Sequence, residues 1–148
     1  MSTESKARLR LWVRLLRTSR AVENEIRERL RTEFDVTLPR FDVLAALFRQ
    51  PDGMLMSELS RFLMVSNGNV TGIIDRLVAD GLVERAKRNG DRRTSMVRLT
   101  PKGRTDFETM ARTHESWIND LLGGLPPDEV EAVSSVLHSF AEYREIHS

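Results

Sequence analysis

The stretch MSELSRFLMVSNGNVTGIIDRLVADGLVERAKRNGDRRTSMVRLT, residues 56–100, changes its hydrophobic period half-way along. Leu59, Phe62 and Leu63 recur at helical steps, Met64-Val65-Ser66 is a tight break, and Val70, Ile73, Ile74, Leu77 and Val78 form the apolar stripe of a second helix. Ser66 is placed to cap that second helix through its hydroxyl, and Gly81 falls where a helix ends in the left-handed region. Two short helices joined by three or four residues are a helix-turn-helix signature. After Gly81 the pattern alternates. Residues 82–88 and 94–99 read as two strands around Asn89-Gly90-Asp91-Arg92-Arg93, and Asn-Gly is a strong hairpin signal because both residues tolerate positive φ.

Outward from this stretch the chain reads as helical. Leu9, Trp12, Leu15, Leu16, Val22, Ile26 and Leu30 mark a helix from about Leu9 to Phe34, longer than a domain of 148 residues needs for its own core. Pro39 suits the first turn of a second helix, from Arg40 to about Gln50, which Pro51-Asp52-Gly53 closes. Thr100-Pro101 starts a long helix bearing Phe107, Met110, His114, Trp117 and Leu121, and Gly123-Gly124 breaks it. Pro127, with Asp128 and Glu129, opens a last helix expected to pack Val130, Val133, Val136, Leu137, Phe140 and Ile146. The fold class is therefore mainly α with a small β-wing, about six helices in all.

Charge adds a location. The net charge is +1, which by itself argues against a polyanionic partner. It is unevenly spread: residues 1–31 are net +5, 32–81 net −3, 82–104 net +6 and 105–148 net −7. The +6 block coincides with the hairpin, so it is a local electrostatic footprint. There is no cysteine, which removes disulfides, thiolate metal sites and thiol redox chemistry and fits a reduced compartment. No apolar run reaches the roughly 20 residues of a membrane span and no secretory signal is visible, so the expectation is a cytoplasmic protein without a membrane partner. No glycine-rich phosphate loop, G-x-S-x-G or H-E-x-x-H is present, and His114, Glu115 and Asp120 do not converge on one helix face, so an enzyme is not expected.

A helix-turn-helix followed by a basic hairpin is a winged helix-turn-helix, whose second helix enters the DNA major groove with its N-terminal residues towards base edges. Those residues are Ser66, Asn67, Gly68, Asn69 and Thr71. Asn amides pair with adenine, hydroxyls bond to either edge, and Gly68 permits close approach; each also has a reading as capping chemistry. Arg76, one turn on, suits a phosphate or an ion pair. Arg92 and Arg93 beside Asp91 suit minor-groove insertion, with Arg93 the inserting side chain and Asp91 its positioner. Lys87 and Arg88 would lie near phosphates. A winged helix used for protein contact, without sequence-specific DNA binding, is the competing reading.

LPRFDVLAAL, the helix-turn-helix stretch, NGDRRTSMVRLTPKG and the closing LPPDE helix together resemble the MarR family of winged-helix regulators over nearly the whole chain, and Asp91 and Arg93 match the family's wing motif. The resemblance implies a homodimer on a pseudo-palindromic double-stranded DNA operator, with residues 1–35 and 101–148 forming a helical dimerisation region and 36–100 the winged DNA-binding region. It also implies a repressor released by a small-molecule effector, bound between dimer helices and winged region without a cofactor. Trp12, Leu16, Phe41 and Leu44 are candidate apolar walls there, and Arg20, Arg40 and His114 candidate partners for an anion; the first reading of each aromatic is nonetheless plain core. MSELSRFLMVSNGNVTGIIDRL is similar to a branch that answers hydroxycinnamates or their coenzyme A thioesters, which makes an aromatic carboxylate or aryl-CoA thioester the expected effector. The family's cysteine-based oxidation sensing is excluded here, and the three histidines lack the pairing that metal sensing requires.

Overall fold

A computed structural model describes residues 1–63, 67–88 and 91–147, and the side chains of all of these except 67, 68, 87, 88 and 91–94. Six helices and a three-stranded sheet follow in the order α1 (Thr3–Phe34), α2 (Leu38–Phe48), β1 (Met54–Leu55), α3 (Met56–Leu63), α4 (Asn67–Ala79), β2 (Val83–Arg88), β3 (Asp91–Leu99), α5 (Pro101–Leu121) and α6 (Pro127–His147). The mainly helical winged architecture expected from the sequence is present. No helix among the described residues is long and apolar enough to cross a membrane.

α1 begins earlier than its apolar pattern, because Ser2 caps it by accepting the Ser5 N–H at 3.0 Å. It ends at Asp35, a non-glycine residue in the left-handed region at φ 52°. α2 likewise starts two residues before the expected Arg40, since the Thr37 hydroxyl caps it and Pro39 sits in its first turn. Phe41, Val43, Leu44, Ala46 and Leu47 of α2 are buried and join Leu59, Val70, Ile74, Leu77, Val83 and Val97 in the core of the winged region.

β1 is too short for a sequence pattern to reveal. It pairs antiparallel with β3, and the sheet order is β1-β3-β2. Gly53 makes this approach possible: at φ +101° it takes a conformation side chains disfavour, and a Cβ there would lie 2.7 Å from the Val97 carbonyl oxygen. The first turn of α3 carries Glu58, whose carboxylate accepts the Leu55 N–H at 3.0 Å. α4 ends in a Schellman cap, with Leu82 N–H bonding to the Leu77 carbonyl and Gly81 N–H to the Val78 carbonyl, both at 3.0 Å, and Gly81 at φ 76°.

The chain divides into two compact units, Met1–His114 and Glu115–Ser148, the boundary falling inside α5. In the first unit Thr100 joins three elements: its hydroxyl donates to the Gly81 carbonyl at 2.7 Å and accepts the Gly103 N–H at 2.9 Å, starting α5. In the second unit Trp117 is buried, while α6 contains no buried residue. Its apolar side chains expected to pack are instead exposed in the single chain: Val136 is 66%, Phe140 59% and Ile146 78% accessible, and Tyr143, at 60%, joins them. The N-terminal half of α1 behaves alike, with Trp12 at 56% and Leu11 at 55%.

Candidate nucleic-acid interface

α4 buries Val70, Ile74 and Leu77 and turns Asn69, Thr71, Asp75 and Arg76 outward. That division follows from the 3.6-residue period and leaves Asn69 and Thr71 exposed near the N-terminal end of the helix. The backbones of Asn67 and Gly68 form its first turn, whereas Ser66, the expected cap, lies outside the described residues. Arg76 is engaged as an ion-pair partner, its Nε 3.3 Å from Asp80 Oδ2, while Arg40 reaches the same carboxylate oxygen at 4.0 Å.

The hairpin corrects one boundary. Its second strand was expected from Thr94, leaving Asp91-Arg92-Arg93 at the tip, yet β3 begins at Asp91. Arg88 pairs with Asp91 and Lys87 with Ser95, so the register shifts between Lys87 and Arg88. The side chains of Lys87, Arg88, Asp91, Arg92 and Arg93 lie outside the described residues. Below the shift the hairpin is regular, Val83 opposite Leu99 and Arg85 opposite Val97.

Two ion pairs that sequence reasoning missed brace this region. Glu84 accepts from Arg98 Nε across the strands at 2.6 Å, and Arg85 of β2 pairs with Asp75 of α4. The first follows from the register once the hairpin is placed. The second joins residues ten apart on different elements, and periodicity carries no signal for it.

A cavity of about 810 Å³ opens beside α4, bounded by the end of α1, the start of α2, and Asn69, Gly72, Ile73 and Arg76. Four guanidinium groups line it, each held by an acid: Arg27 by Glu23 at 2.7 Å, Arg31 by Glu28 at 2.6 Å, and Arg40 and Arg76 by Asp80. Among the expected effector residues, Arg40 alone lines this cavity. Phe41 and Leu44 are core, at 6% and 0% exposure, and Phe41 packs against Phe107 at 5.5 Å and His114 at 4.8 Å between ring centres. Burial pushes the His114 pKa down from its ordinary 6.5. Leu16 is half-buried, and Trp12 and Arg20 are exposed on the first half of α1. Arg27 and Arg31 were missed; their i,i+4 spacing on α1 was the available signal.

The architecture matches known proteins. A family model described as the MarR family covers residues 36–95, and a MarR family transcriptional regulator from Silicibacter pomeroyi is similar in structure over 97% of this chain and 99% of that one, with a TM-score of 0.82 and 31% identity. The chain belongs to the MarR family. It is thus grouped with transcriptional regulators rather than enzymes. Among other MarR-family structures, a mutant MarR from E. coli complexed with operator DNA aligns over 95% of this chain and 99% of that one, at 26% identity and a TM-score of 0.77. The transcriptional activatory protein BadR of Rhodopseudomonas palustris is 35% identical over 98 residues, which is 64% of this chain and 56% of BadR. The chain therefore spans little more than half of that relative's length.

Proposed function

We propose that this MarR-family chain is a sequence-specific DNA-binding transcriptional regulator that acts as a homodimer and releases its operator when a small anionic effector binds. The observation that carries the reading is the juxtaposition of α4, with Asn69 and Thr71 exposed, and a hairpin built from the net +6 segment. Asn69, Asn67 and Thr71 contact base edges; Arg93, positioned by Asp91, enters the minor groove; Lys87, Arg88 and Arg92 neutralise phosphates. A mutant E. coli MarR was crystallised with operator DNA, which supports a DNA partner for this relative of the same fold.

Exposed apolar side chains on a basic α1 and an acidic α6 support the dimer. Leu9, Leu11 and Trp12 sit in the net +5 block and Phe140, Tyr143 and Ile146 in the net −7 block, so the two helices of different copies are matched in both apolarity and charge. A two-fold dimer carries two copies of α4 roughly 34 Å apart, one DNA turn, and reads a pseudo-palindrome.

The cavity beside α4 supports the effector response. Its four lining guanidinium groups suit an anion, such as an aromatic carboxylate or an aryl-CoA thioester, that competes with the acids now holding them, and Asn69 and Arg76 in its wall couple an occupant to the DNA-reading helix. A gel shift with DNA upstream of the chain's own gene, at two salt concentrations and with random competitor, tests the regulator reading. Binding that resists competitor and weakens with salt is expected; salt-independent or wholly non-selective binding overturns it.

A further inference from the structure

Asp75 places a carboxylate one turn after Thr71 on the face of α4 that the proposed function turns towards DNA, where a negative charge opposes phosphate binding. Its partner is Arg85 of β2, a cation thereby withdrawn from the DNA. Side chains 59% and 42% exposed leave the pair well screened, and pairs of that kind add little to stability. Nor is it needed to close the α4–β2 junction. The Schellman cap at Gly81, the Thr100 hydroxyl on the Gly81 carbonyl, and Lys102 Nζ on the Asp80 carbonyl at 3.1 Å already do that. Instead, the pair spans the junction, from six residues before Gly81 to four after it, and so bridges helix and hairpin. The neighbouring Glu84 is spent on Arg98 within the hairpin, so the two successive charges of β2 stiffen the wing and tie it to α4 respectively.

We propose that Asp75 and Arg85 are positioning residues: their ion pair fixes the recognition helix against the wing, so that major- and minor-groove contacts are presented at one spacing. This rests on α4 and the hairpin both contacting DNA. It makes a prediction whose sign separates it from simple electrostatics. Asp75→Asn removes a negative charge from the DNA-facing surface and frees Arg85, so charge alone would tighten binding to every sequence. Loss of positioning weakens binding to the specific site while random DNA is held as well as or better than before.

The test uses a duplex enriched by the wild-type protein from a random-sequence pool, a random duplex of equal length, and the full-length variants Asp75→Asn, Arg85→Gln and the charge-reversed double variant Asp75→Arg with Arg85→Asp. Each single variant is expected to lose roughly fivefold to a hundredfold in affinity for the enriched site, the span of one mismatched contact, with a smaller ratio over random DNA. The double variant, with net charge unchanged, recovers most of that ratio. Equal or tighter binding of Asp75→Asn to the enriched site with its ratio intact overturns the proposal. So does a double variant that melts like wild type yet recovers nothing. Failure of the wild-type protein to enrich any sequence instead overturns the DNA-binding reading itself, before any variant is compared.

Discussion

Gly103→Ala is expected to destabilise the protein although it places alanine in a helix. Gly103 lies in the first turn of α5, buried, and a Cβ built there falls 1.9 Å from the Leu82 carbonyl oxygen, 2.8 Å from its carbon and 3.1 Å from its Cα. All three are backbone atoms, so no side chain can swing aside; α5 or the α4–β2 junction must move by roughly an ångström to restore ordinary contact. Overpacking of this kind costs about 1–3 kcal/mol. The Leu82 carbonyl also accepts the Thr100 N–H at 3.0 Å, and weakening that bond adds about 0.5–1.5 kcal/mol. Against this stands at most about 1 kcal/mol of helix propensity. The net loss is roughly 0.5–4.5 kcal/mol, a fall in Tm of roughly 1–18 °C for a chain of this size. Gly72→Ala is the control, because nothing lies within 4 Å of its Cβ position in α4; it should be neutral or stabilising by up to about 1 kcal/mol. Thermal and urea unfolding at one protomer concentration compare the three proteins. A Gly103→Ala protein that melts at or above wild type refutes the close-approach argument.

Three further outcomes follow from the same structure. Burial lowers the His114 pKa, so the unfolded chain binds its proton first as pH falls; stability is full above about 6.5 and declines as pH drops through the lowered value. His114→Phe keeps a ring against Phe41 and should flatten that part of a Tm-against-pH curve, and an unchanged slope would contradict it. Phe140→Ser or Trp12→Ser, both exposed in the single chain, should shift sedimentation equilibrium towards monomer while leaving helix content intact; a monomeric wild type would remove the dimer from the account. Asn69→Ala should relax sequence preference more than it lowers binding to random DNA, measured by competition gel shift, whereas an equal loss on both would make Asn69 a mere phosphate contact.

Much of the fold was legible because period and punctuation agree. The 3.6-residue stripe of Val70, Ile74 and Leu77, stopped by Gly81, and the alternation after it locate α4 and the hairpin to within a residue or so at most ends. The errors lie where structure is made by single bonds rather than by pattern. β1 has two residues and exists because Gly53 lets it reach β3; the early starts of α1 and α2 depend on the Ser2 and Thr37 hydroxyls. The outward residues of α4 could be read from their place on the helix. The lining of the cavity beside α4 could not, because an apolar side chain such as Phe41 or Leu44 serves a core and a pocket equally in sequence. Of the arginines that line the cavity, Arg40 was named from the sequence, whereas Arg27 and Arg31 read simply as a solvated helix face. The Asp75–Arg85 pair needed the fold, since only tertiary packing brings these elements together.

The most direct measurement of the central claim is a pair of footprints, dimethyl sulfate at guanine N7 for the major groove and hydroxyl radical at the sugars for the minor groove, of the wild-type protein and Arg93→Ala on a duplex enriched from random sequence. Two protected major-groove segments about one turn apart are predicted, flanked by minor-groove protection that Arg93→Ala loses while the central segments persist. Uniform protection along the duplex, or flanks that survive in Arg93→Ala, would contradict it.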